Sequence, residues 1–247
     1  MMQQARRIGF GSFTTLAMVT AAVVGFAQPA PAADERFEVS SIKAVKPILL
    51  ATADAVKKGD IAKAKEAFED YDSAWNGIEV YINTRSKPMY DKIELDLQDR
   101  ITKALNAPAP DLPKISADLQ EMIAKYDEAI NLVSSGAPLN PLYDDVARLR
   151  IERAHLREVT PALKAGNIAK ARKSYAAFDS GWDPIEDLVK ARSADAYVAI
   201  EKGMIQIEQA LMPDKPDVAQ VTALVTTVNT SYNAALAEVV KDARAGK

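Results

Sequence analysis

The sequence predicts an all-α protein made of two tandem antiparallel four-helix bundles, the product of an internal duplication. Three observations carry that expectation. One block of the chain is written twice. Gly59-Asp-Ile-Ala-Lys-Ala runs on to Trp75, Ile78-Glu79, Arg85-Ser86, Tyr90 and Ile93-Glu94. Gly166-Asn-Ile-Ala-Lys-Ala runs on to Trp182, Ile185-Glu186, Arg192-Ser193, Tyr197 and Ile200-Glu201. The copies lie about 107 residues apart and share about 15 identities in about 36 gapless positions, a period and length that mean a duplicated unit and not a short solenoid repeat. Apolar residues recur at helical spacing from Asp34 almost to the end. Aromatics make up 6% of the residues and glycine only 10 of 247, a balance that favours a helical bundle.

Taken in order, a first helix is expected over Phe37–Lys57, with Ile42, Val45, Ile48, Leu49 and Val56 apolar and Pro47 inside it. Lys57-Lys58-Gly59 reads as a helix end, because cations suit the negative helix terminus and glycine suits a left-handed cap. Asp60 then caps the next helix, and Gly166-Asn167 repeats the turn. Phe68, Tyr71, Trp75, Ile78 and Ile82 trace one buried stripe, repeated as Tyr175, Phe178, Trp182, Ile185 and Val189. Asn76-Gly77 and Asp183-Pro184 predict a kink or break just after each tryptophan, with Glu79 and Glu186 completing capping boxes. Ser86 and Ser193 cap a third helix and Asp111 a fourth, which the second copy repeats from Asp217. Gly136–Pro141 is the expected joint between a repeat over 33–136 and a repeat over 137–247. A single intertwined eight-helix domain is the alternative.

The first 32 residues are excluded from the fold. Arg6-Arg7, an apolar run from Phe13 to Phe26 and the small residues Ala30-Pro31-Ala32 read as a secretory signal peptide, with an uncleaved anchor as the alternative. The expected location is therefore periplasmic or secreted. Without cysteine the exported chain has neither disulfide nor lipid-anchor motif. No later segment is apolar enough to span a membrane. Removing the signal arginines moves the formal charge from −3 to about −5, which gives no electrostatic case for binding nucleic acid.

The recurring polar residues are Asp72 and Asp179, Glu79 and Glu186, Arg85 and Arg192, Tyr90 and Tyr197, Glu94 and Glu201. Asp72 and Glu79 lie on one flank of the stripe, about 10.5 Å apart along a continuous helix, so a shared ion needs a carboxylate from a second helix, such as Glu94. Oxygen ligands at a bundle seam suit hard cations and iron. The bland alternative is structural: Glu79 and Glu186 as capping groups, Arg85 and Arg192 paired with Glu94 and Glu201, and the aromatics as core. His155, the only histidine, stands where the other copy has Ile48, so no paired Glu-x-x-His arrangement exists. With no cysteine nucleophile, no phosphate loop and no zinc set, an enzyme is not expected.

The block Phe-x-x-Tyr-Asp-x-x-Trp-x-x-Ile-Glu followed by Arg-Ser-x-x-x-Tyr-x-x-Ile-Glu resembles the extracytoplasmic helical region that precedes the membrane part of many bacterial FTR-type iron permeases. The matching residues are Phe68, Tyr71, Asp72, Trp75, Ile78, Glu79, Arg85, Ser86, Tyr90, Ile93 and Glu94, and their repeats from Tyr175 to Glu201. The chain lacks the permease's multi-span domain and its Arg-Glu-x-x-Glu pair, so it resembles a free-standing version of the soluble region. The resemblance implies a periplasmic accessory protein that handles iron or another divalent cation, with a membrane iron permease as partner. It puts Glu79, Glu94, Glu186 and Glu201 first as metal ligands, with Asp72 and Asp179 beside them. A structural or protein-interaction module without metal is the other reading.

Overall fold

Short polar side chains set most of the helix starts. Asp60, Ser86, Asp111, Asn167, Ser193 and Asp217 each accept a backbone N–H from the first turn of the helix that follows. These caps satisfy donors that would otherwise be orphaned. The computed structural model describes residues 35–246; the expected signal segment, 1–32, lies outside them. The helices are α1 (Phe37–Lys57), α2 (Ile61–Arg85), α3 (Lys87–Asp91), a π-helical segment (Lys92–Gln98), α4 (Asp99–Leu105), α5 (Leu112–Ser135), α6 (Leu142–Lys164), α7 (Ile168–Trp182), α8 (Glu186–Lys190), α9 (Ala194–Leu211) and α10 (Val218–Ala245). Among the described residues there is no strand, and no helix is long and apolar enough to cross a membrane.

The repeated sequence has repeated local structure. Gly59 and Gly166 close α1 and α6 with φ of 73° and 74°, a conformation that glycine adopts without steric cost. Tyr126 donates its hydroxyl hydrogen to the carbonyl of Ile42 at 2.8 Å, and Tyr232 does the same to Leu149 at 2.7 Å. Each bond ties the last long helix of a half to its first. In the first half α1 packs on α2 and α5; in the second, α6 packs on α7 and α10. Gly136–Pro141 links α5 to α6.

The halves meet where α2 packs on α6, and the described helices form one compact unit. The contact is one-sided, because α7 makes no comparable contact with α1. Gly77 permits it. A Cβ there would lie 2.5 Å from Cγ1 of Ile151 on α6. This corrects the expected break after Trp75. Asn76 is not a cap; its side-chain amide donates to the carbonyl of Asp72 at 2.8 Å, and α2 runs on unbroken to Arg85. In the second half the break is present: α7 stops at Trp182, and α8 restarts at Glu186 after Pro184, with no side-chain cap.

The third rod differs between the copies. In the second half α9 is a regular α-helix. In the first, Lys92–Gln98 widens into π-helix. Leu97 still matches Met204, and both are buried. Beyond the π segment the equivalent buried residues are Ile101 with Ile207, Leu105 with Leu211 and Tyr126 with Tyr232, a spacing shorter by one residue. The first copy therefore holds one extra residue, and the π segment absorbs it.

Candidate functional site

Each half has at its centre a buried tryptophan whose ring nitrogen donates to a glutamate on the third rod. Trp75 donates to Glu94, and Trp182 donates to Glu201 at 2.6 Å. Both indoles are fully buried. A tyrosine stacks on each: Tyr90 on Trp75 with centroids 6.4 Å apart and planes at 17°, Tyr197 on Trp182 at 6.4 Å and 18°. A buried N–H needs an acceptor, so the Trp–Glu pair fixes the glutamate against the stripe in both copies.

Of the six predicted site residues, Glu94 and Glu201 belong to these pairs, and the others have different surroundings. Glu79 is held by Arg150 of α6 at 2.8 Å, with a further hydrogen bond from Tyr90. It is no capping residue, because α2 passes through it. Burial raises the Glu79 pKa, and Arg150 opposes that shift. Asp72 accepts a hydrogen bond from the Gln98 amide. Burial pushes the Asp72 pKa up against the pull of Arg157 and that hydrogen bond. Burial also raises Glu94, and the charges of Glu79 and Asp72 add to the shift against the Trp75 hydrogen bond. Tyr90 is pushed up to about 12 by burial, then by Glu79 and Glu94. In the second half, burial and then Glu201, Asp183 and Asp187 raise Glu186. Asp179 aligns with Asp72 one turn before Trp182.

The arginines of the repeat take other partners than Glu94 and Glu201. Arg85 bonds Glu38 at 2.7 Å, and Arg192 lies 3.4 Å from Asp242. Both partners sit on helices that the local sequence does not point to. Among the described residues no group of three or more His, Cys, Asp or Glu side chains is placed to hold a metal ion. The donors gathered at the seam are oxygens from carboxylates, an amide and phenols, a set whose chemistry fits hard cations.

A groove of about 680 Å³ opens beside the first-half cluster, between α2 and α6. Asp70, Asp72 and Asn76 line one wall, and Arg157 and Glu158 the other. The histidine helix adds little here. His155 and Glu158 are three residues apart on α6, but Glu158 accepts a hydrogen bond from Ser174, and the groove lining does not include His155.

Sequence reasoning missed two features. The first is Gln98, only 6% exposed, which the π segment turns toward Asp72. The second is Glu152 of α6. A Cβ on Gly181 would fall 1.7 Å from its Oε2, and burial alone pushes its carboxyl up to about 7. The matching pair in the first copy is Val45 and Ala74. The signal was present: where valine becomes glutamate, the facing alanine becomes glycine. Compared with known proteins, the chain matches no family model and no curated relative.

Proposed function

We propose that this protein is an exported, non-enzymatic accessory protein that binds a divalent cation through carboxylates at the tryptophan seams. In this reading it consists of two tandem four-helix bundles derived from an internal duplication. Residues 1–32 direct it to the periplasm, and a membrane iron permease is its partner. Iron(II) is the favoured cargo, on the resemblance of the repeated block to the soluble region of such permeases. The observation that carries the reading is the crowding of negative charge around Glu94. Burial raises its pKa first, Glu79 and Asp72 add to the shift, and a bound cation would relieve that repulsion. Glu186 with Glu201 repeats the crowding in the second half.

The test is calorimetry with anaerobic iron(II), manganese(II) and calcium(II). Its control is a variant with Glu79, Glu94, Glu186 and Glu201 all changed to Gln. Saturable binding that the folded variant loses supports the reading. A folded wild type that binds none of the three at micromolar affinity sinks it. That outcome favours a protein-interaction module, a second reading with its own support. The outer side of α9 exposes Val198 (61%) and Ile205 (45%), and Met212 beyond its end is 66% exposed. Spaced seven residues apart, they form an apolar stripe of the kind that contacts a partner.

A further inference from the structure

The two halves are not equivalent at the seam. Beside the first-half tryptophan, the hydroxyl of Tyr71 and Oε1 of Gln98 are buried without a hydrogen-bond partner. Tyr71 has no exposed surface, and Gln98 is 6% exposed. Both side chains touch residues of the acidic cluster or of the tryptophan beside it. The Gln98 amide nitrogen is bonded to Asp72. The Tyr71 ring stacks on Trp75 with centroids 6.2 Å apart, and Trp75 is bonded to Glu94. Burial raises the Tyr71 pKa, and Tyr126, Glu94 and Asp72 add to the shift. Leaving such oxygens buried and unpaired is costly unless something fills the space between them.

The second-half seam lacks both of these groups. Phe178 stands in place of Tyr71, and the residue matching Gln98 is Ile205, which points to solvent at 45% exposure. The extra residue in the π segment is what turns Gln98 inward. Asp72 also lines the groove between α2 and α6, which gives the cluster an entrance.

Resting on the cation-handling reading above, we propose that the protein binds one hard divalent cation per chain, in the first half only, at Asp72, Gln98, Glu94 and Tyr71. The donors are a carboxylate oxygen of Asp72, the Gln98 amide oxygen, the Glu94 oxygen not engaged by Trp75, and the Tyr71 phenol oxygen. All are oxygens, the donor type that hard cations take. Glu79 stays with Arg150, and the Trp182–Glu201 pair of the second half is structural.

Manganese(II) is the probe, titrated into the purified chain by calorimetry, with free ion counted by electron paramagnetic resonance. The expected stoichiometry is one. Tyr71→Phe copies the second half and removes a single atom; it should weaken binding about tenfold, the factor for one polar contact. Its melting temperature without metal should not fall, since an unpaired hydroxyl is lost, while the rise on adding manganese(II) should shrink. Gln98→Leu should weaken binding at least as much. Two ions per chain or unchanged binding by folded Tyr71→Phe would overturn this assignment and leave the cation reading standing. No saturable binding by the folded wild type would overturn both.

Discussion

Replacing Glu152 with glutamine should flatten part of the pH dependence of stability. The Glu152 carboxyl lies against Gly181 on the inner side of α6, and among the described groups Tyr232 of α10 responds to its charge. Burial alone moves its pKa from 4.5 to about 7. Below the lower value the group is protonated in both folded and unfolded chains. Between the two values the unfolded chain releases the proton and the folded chain keeps it, so stability falls as pH rises. Above about pH 7 the loss is complete. The full shift corresponds to about 3 kcal/mol, and partial contact with water reduces the expected effect to about 1–2 kcal/mol. For a chain of this size that is roughly 2–8 °C in Tm. The assay is urea unfolding followed by far-UV circular dichroism at pH 5 and pH 8, for wild type and Glu152→Gln. Any fixed cost of the buried amide cancels in the comparison across pH. The variant should gain about 1–2 kcal/mol over wild type between the two pH values. Parallel profiles for the two chains would refute the reasoning. Gly181→Ala is a second arm: its Cβ displaces the carboxylate into water, so the same pH dependence should shrink without removing the acid.

Three further outcomes follow from the packing. Trp182→Phe removes the N–H that Glu201 accepts at 2.6 Å and should cost about 2–3 kcal/mol in urea unfolding; a loss below about 0.5 kcal/mol would mean the pair is not a structural anchor. Gly59→Ala and Gly166→Ala should each cost about 1 kcal/mol, and by equal amounts, because no neighbour lies within 4 Å of the added carbon in either case. A clear difference between them would show that the two turns are not equivalent. Arg85→Met removes one cation from Glu38, which is 3% exposed and keeps Arg36 at 2.8 Å; about 2–4 kcal/mol should be lost. Glu38→Leu in the same chain should recover much of it, as a double-mutant cycle would measure.

The local chemistry of this chain was legible without coordinates. Asp60, Ser86, Asp111, Asn167, Ser193 and Asp217 cap helices where they stand, because a cap acts within its own first turn. Gly59 and Gly166 adopt positive φ for the same local reason. The buried stripes through Trp75 and Trp182 followed from spacing alone. What the sequence could not decide was which distant group each charge would meet. Arg85 chose Glu38 and Arg192 chose Asp242, although Glu94 and Glu201 were nearer in sequence. Those choices depend on how the helices are placed, and no short-range preference records that. Asn76-Gly77 shows the same override. Read locally it is a helix breaker, but the close approach of Ile151 on α6 makes glycine a packing residue inside an intact helix. The π segment is the third case. One extra residue beyond the repeated block is an unremarkable offset in a sequence; only the packed structure turns it inward, seats Gln98 beside Asp72 and makes the first half chemically unlike the second.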